Sequence, residues 1–224
     1  MIQVLLVLLV LKVLLVLKEM MELMGLKRTS NSDDDSDKTA IDLADLHPTD
    51  TLLDAYCGIG TIGLSASSHC RRVIGVELNP DAVRDAIANA KHNKITNARF
   101  YRGDAGKFML ENPDLTPDVL IMDPPRGGSD LPFLNAVCKR KPNRVVYVSC
   151  GPDTLARDLK TLTKEYRVET IQPVDMFPRT GHVESVVSLT RRFPIPSELR
   201  SVLWRARAFL PMINGVKLLP LMKP

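Results

Sequence analysis

The sequence is short of cysteine: it has four in 224 residues, Cys57, Cys70, Cys138 and Cys150, and no CxxC pair. So few, so irregularly spaced, they exclude a disulfide scaffold and a paired zinc ribbon, and no metal site is expected. A reducing, cytoplasmic setting follows as the default. The chain also lacks a dominant charge. Its net charge is +4, and the excess sits in residues 191–224, with seven basic side chains against one acidic. Residues 41–190 are near balance, 18 basic against 19 acidic. Only the tail therefore has the composition to touch a polyanion, although a solvated terminus has the same composition. Hydrophobic residues at 45% and charged residues at 25% are ordinary for a soluble globular chain. They exclude wholesale disorder, collagen and a polytopic membrane protein.

The first 17 residues, MIQVLLVLLVLKVLLVL, are apolar except for Gln3 and Lys12. They lack the basic n-region and small-residue cleavage site of a secretory signal, and Lys12 near the middle argues against a spanning helix. Packing on the body of the protein or on an absent partner is the first reading and membrane contact the lesser one; a mis-assigned start of the reading frame is the third. Residues 29–39, TSNSDDDSDKT, have nothing to bury and read as a linker. The expected organisation is an apolar segment and acidic linker over 1–40, a catalytic domain over 41–192 and a basic tail over 193–224.

Within the domain, strand-like runs at 51–56, 72–77, 97–102, 118–122, 144–149, 166–173 and 185–190 are separated, in the first five cases, by stretches of helical composition. That alternation predicts an α/β fold with a mostly parallel sheet covered on both faces. The clearest helix is 80–93, with Asn79 to cap it and Pro80 in its first turn. The last two runs are joined by a connector too short for a helical crossover, so they should pair antiparallel. Seven strands with an antiparallel last strand describe the Rossmann-like class I methyltransferase sheet.

The chemistry sits between these elements. The first strand runs into DAYCGIGTIG, where Gly58, Gly60 and Gly63 form GxGxxG ahead of a helix, a turn that lets backbone approach a nucleotide closely. Glu77, nineteen residues past Gly58 at the end of the second strand, can take ribose hydroxyls. These two features fit an adenosine-containing cofactor and leave NAD and S-adenosylmethionine both open; an NAD-dependent oxidoreductase rests on them alone. Asp104 ends the third strand where an adenine amino group would lie, and the fourth ends in DPPRGG, carrying Asp123, Pro124, Pro125 and Arg126. Nicotinamide chemistry has no need of that loop. Methylation of an exocyclic amine commonly uses an aromatic residue after the two prolines, where Arg126 stands.

A pyrimidine C5 is too poor a nucleophile to accept a methyl group unaided. A thiolate must first add to C6, and a base must later remove the C5 proton. One cysteine and one separate base are therefore required. Cys150 ends the fifth strand, ahead of a helix that opens on Pro152 and Asp153, whereas Cys70 and Cys138 read as inert and Cys57 as a small residue in the cofactor turn. Glu184 and His182, in MFPRTGHVES, are the two candidates for the base, and spacing favours Glu184 only weakly.

With LLDAYCGIGTIGL, VIGVELNPDAV, DPPRGG, VVYVSC followed by TLARD, and DMFPRTGHVE in this order, residues 41–191 resemble the RNA uracil-5 methyltransferases, which make 5-methyluridine in large-subunit rRNA and in tRNA. The resemblance is nearest to the bacterial branch acting on 23S rRNA. It implies S-adenosylmethionine as cofactor, contacted by Tyr56, Gly58, Gly60, Glu77, Asp104 and Asp123, with Cys150 as nucleophile and Glu184 as proton acceptor. It also implies an RNA substrate, rRNA before tRNA, with no stable protein partner. Gly151 stands where the family usually has Asn, and the family's RNA-binding barrel, central domain and cofactor-contacting glutamine are not recognisable. The alternative is therefore a truncated member that folds and binds cofactor or RNA with little turnover.

Overall fold

The computed structural model describes residues 34–174 and 184–192. Seven strands, β1 (Thr51–Ala55), β2 (Arg72–Glu77), β3 (Ala98–Arg102), β4 (Val119–Met122), β5 (Arg144–Ser149), β6 (Tyr166–Val174) and β7 (Glu184–Arg191), form one sheet in the order β3-β2-β1-β4-β5-β7-β6. The first five are parallel, and β7 enters antiparallel between β5 and β6. This is the sheet expected from the sequence.

Of the parallel strands, β1, β2, β4 and β5 are buried on both faces, which is why they read as nearly continuous apolar runs, whereas the edge strand β3 is mostly exposed. Leu53, Ile74, Leu120, Met122, Val145 and Tyr147 face one layer of the core, packed under α4 (Ala105–Glu111), α5 (Leu131–Arg140) and α6 (Pro152–Leu162). Leu52, Val73, Ile121, Val146 and Val148 face the other, under α1 (Asp34–Ala44) and α2 (Thr61–Ala66). The clearest sequence helix is α3 (Pro80–His92), where Asn79 accepts a hydrogen bond from the Asp81 N–H. On β6, an edge strand, Pro173 is tolerated because a missing N–H costs nothing on an open side.

Helix α1 reaches back to Asp34, into the stretch that reads as linker. Ser36, Ala40 and Ala44, spaced four apart, are all buried. Small buried residues under a polar face leave little hydrophobic signal, which is how a helix can pass for a linker. The apolar run 1–17 and the tail 193–224 lie outside the described residues. Among those described, no helix is long and apolar enough to cross a membrane.

Candidate active site

The carboxyl ends of β1 to β5 and the start of antiparallel β7 share one edge of the sheet. Tyr56, Glu77, Asp104, Asp123, Cys150 and Glu184 each lie at or just past one of these strand ends. A recess of about 360 Å³ between Arg71, Arg72 and Arg99 opens at the opposite ends of β2 and β3 and takes no part in this edge.

On the β1–β3 side, the turn after Ala55 places Tyr56, Gly58 and Gly60 in left-handed backbone conformations, φ 64°, 52° and 87°. The N–H groups of Tyr56 and Cys57 donate to Val76 O, tying the turn to β2. Glu77 braces it from the side: Gly58 N–H donates to Oε2 at 3.1 Å and Asn79 N–H to Oε1 at 2.8 Å. A carboxylate has about four lone-pair sites, so Glu77 retains acceptor capacity. A Cβ placed on Gly58 would meet nothing within 4 Å, so the turn borders open space. Ile59 and Leu78, 50% and 68% exposed, present apolar surface to solvent. Asp104 caps α4 by accepting from Lys107 N–H at 2.8 Å.

Below the turn lies a residue whose role sequence reading missed. Asp54, 1% exposed, accepts from Gly63 N–H at 2.9 Å and so pins the start of α2 to β1. The approach is so close that a Cβ on Gly63 would stand 2.7 Å from Asp54 Oδ2. Glycine is needed here for proximity. Burial pushes the Asp54 carboxyl up to about 8, with the carboxylates of Asp123, Asp37 and Glu77 adding to the rise. Only the apolar context of LLDAY hinted that this aspartate points inward.

On the β4–β7 side, β5 and β7 pair with Ser149 opposite Ser185 and Val148 opposite Val186. One step further along that register, Cys150 and Glu184 come to the same level of the edge. Both are partly buried, and Glu184 is itself paired to Val174 of β6. Asp123 lies close enough to feel Glu184: burial first, then the charges of Glu184 and Asp37, push its carboxyl up to about 7, and water at its exposed surface screens part of that push. Gly151 caps α6 through backbone alone, and Thr154 Oγ1 donates to Gly151 O at 3.0 Å.

Tyr56 bridges the two sides, its ring edge-on to Phe133 at 5.3 Å and its hydroxyl 3.2 Å from Ser129 Oγ. His182, the rival base, lies outside the described residues. Cys57 and Cys70 are buried and burial pushes both thiols up, away from the reactive anion. Among the described residues, no cluster of three histidine, cysteine or acidic side chains could hold a metal.

The sequence profile described as tRNA (uracil-5-)-methyltransferase matches residues 38–192. An uncharacterised RNA methyltransferase of Oceanobacillus iheyensis is 46% identical over 154 residues, which are 67% of this chain and 34% of the relative. One of Listeria innocua is 47% identical over 154 residues, with the same coverage. The chain thus spans about one third of the length of these curated relatives. Among solved structures, the tRNA (uracil-54, C5)-methyltransferase of Pyrococcus abyssi, in complex with S-adenosyl-L-homocysteine, superposes with a TM-score of 0.60 at 31% identity over 73% of this chain and 40% of that one. The N-methyltransferase NodS of Bradyrhizobium japonicum reaches 0.61 at 12% identity, over 72% of this chain and 88% of that one, a likeness of fold alone.

Proposed function

Since the chain belongs to the tRNA (uracil-5-)-methyltransferase family, we propose that it methylates C5 of a uridine in RNA, using S-adenosylmethionine, with Cys150 as nucleophile and Glu184 as base. The observation that carries this reading is the β5–β7 register, which draws a cysteine and a carboxylate from two separate strands to one level of the sheet edge that also carries the glycine turn.

The turn fits an adenosine cofactor on its own geometry. Open space beside Gly58, residual acceptor capacity on Glu77 and exposed apolar Leu78 and Ile59 offer backbone approach, a ribose acceptor and a face for a flat base. Tyr56, Gly58, Gly60, Glu77, Asp104 and Asp123 would hold it. When bound, S-adenosylmethionine supplies a methyl group on a positively charged sulfur.

The Cys150 sulfur adds to C6 of the uracil, and the electron pair of the C5–C6 bond makes C5 nucleophilic enough to take the methyl group. Glu184 then removes the C5 proton, the electrons re-form the C5–C6 double bond, and the Cys150 thiolate leaves. Asp123 can hold the base or the cofactor beside them.

Incubating the chain with S-adenosylmethionine and RNA containing 5-fluorouridine tests this directly, because fluorine at C5 cannot leave as a proton. A gel-stable adduct that mass spectrometry maps to Cys150 is expected, and Cys150→Ala should abolish it while calorimetry shows cofactor binding retained. Running 23S-type rRNA and tRNA in parallel separates the branch that the motifs resemble from the substrate that the family description names. No adduct with either RNA, in a chain that binds the cofactor, defeats the catalytic reading and leaves a domain that folds and binds with little turnover.

A further inference from the structure

Helix α6 begins two residues after Cys150, and its second turn carries a carboxylate that the proposed reaction does not use. Asp158 is fully buried, 0% exposed. It accepts three hydrogen bonds: from Ser129 N–H at 2.8 Å, from the Tyr147 hydroxyl at 2.7 Å and from Arg157 Nε at 2.8 Å. Arg157 turns the rest of its guanidinium onto the loop after β4, with Nη2 donating to Gly127 O at 2.9 Å and Ser129 O at 3.1 Å. The Thr154 hydroxyl, one turn nearer to Cys150, donates to Gly151 O and lies 3.3 Å from Arg126 O. Four consecutive residues of the loop, 126–129, thus lie against one face of α6, and two of them, Gly127 and Ser129, are hydrogen-bonded to it.

The contact is tight at Gly128, whose φ is 75°. A Cβ there would stand 2.5 Å from Arg157 Nη2 and 2.7 Å from Asp158 Oδ2. The loop can seat on the ion pair only if that residue is glycine. Simple packing does not require such a device. Asp158 is buried while Arg157 is half exposed, and the guanidinium that meets the carboxylate also ties down two loop carbonyls, so the pair bears on loop geometry.

Resting on the reading of this edge as a uracil-5 methyltransferase site, we propose that Asp158, with Arg157, is a positioning residue. The pair locks the loop carrying Asp123 and Arg126 to the helix that begins beside Cys150, so that loop and nucleophile meet the uracil as one rigid edge. The lock extends across the site, because Ser129, whose N–H is held by Asp158, also contacts the Tyr56 hydroxyl of the cofactor turn. Asp158 and Arg157 touch neither substrate nor cofactor in this scheme; they set the separation between groups that do.

The test compares the unmodified chain with Arg157→Ala, Arg157→Lys and Asp158→Asn. Arg157 is half exposed, but its removal leaves the buried Asp158 carboxylate without its cation, so urea midpoints are measured beside each variant and the comparison is made where all are folded. Hydrogen exchange read by mass spectrometry should rise on the order of tenfold in the peptide spanning 124–130, while the sheet strands exchange as before. On substrate RNA, kcat should fall on the order of tenfold, with KM for the RNA within about twofold of the unmodified chain. Lysine restores the charge without the planar fork and should recover only part of both effects. Asp158→Asn should loosen the same peptide; if it does not fold, Arg157→Ala carries the test. Unchanged exchange over 124–130 overturns the proposal, and so does faster exchange with unchanged kcat. If the unmodified chain methylates no RNA, the catalytic reading fails by itself, and exchange alone decides whether loop and helix are locked together.

Discussion

The two halves of the site edge are built differently. On the β1–β3 side, the acidic groups are engaged with backbone next to them in the fold: Glu77 braces Gly58 and Asn79, Asp104 caps its own helix, and Asp54 pins Gly63. On the β4–β7 side, the residues come from stretches that only the sheet brings together, and a helix side chain holds the loop. The first half is a rigid cradle whose polar groups first satisfy the protein and then present what capacity remains. The second collects reactive groups by tertiary pairing, and its geometry is only as good as the register and the loop that maintain it. Cofactor binding and catalysis should therefore be separable by mutation.

The sharpest way to break that comparison is Glu184→Gln. Removing the base should cut turnover on ordinary RNA by about 10²- to 10⁴-fold while leaving cofactor affinity unchanged, and the methylated Cys150 adduct should accumulate because its C5 proton is not removed. Single-turnover transfer of labelled methyl groups with denaturing gels reads both. Accumulation in His182→Ala and not in Glu184→Gln would move the base to the histidine.

A smaller effect is expected on the cradle side. Gly63→Ala puts a methyl group 2.7 Å from Asp54 Oδ2 and 2.9 Å from Val73 Cγ1. The strand and helix must part, at a cost of about 1–3 kcal/mol. Urea midpoints measure it, and cofactor affinity should weaken with stability, in contrast to the separate behaviour of Glu184→Gln.

The most specific effect is pH-dependent. The Asp54 carboxyl is raised in the folded chain from 3.8 to about 8. Between those limits the folded state holds a proton that the unfolded state has released, so this group's stabilising contribution is present below the lower limit and is lost as pH rises towards about 8. Asp54→Asn keeps an acceptor for Gly63 N–H and removes the titration. The stability difference between variant and unmodified chain, from chemical denaturation at pH 5 and pH 8, should therefore shift in favour of the variant at the higher pH. A difference that does not change with pH would mean that Asp54 is ionised in the fold.

Much of this protein was legible in its sequence where the cause is local. Apolar runs such as TLLDA, VLIM and RVVYVS specify buried strands, and Asn79 with Pro80 starts a helix, because these signals act within a few residues. The spacing from Gly58 to Glu77 made the cradle recognisable for the same reason: both residues belong to one β–turn–helix–β unit, and the structure joins them by a hydrogen bond. By itself, then, the sequence determined the elements, the glycine turn and the types of residue available for chemistry. Which of those residues meet follows from the closed sheet. Periodicity says nothing of strand order, and it is the insertion of β7 between β5 and β6 that brings Glu184 level with Cys150. Nor could the motif TLARD reveal that its aspartate is buried under a loop 29 residues earlier, held by Ser129 N–H. Such contacts are stabilised by burial and pairing that exist only once the sheet has closed over its helices.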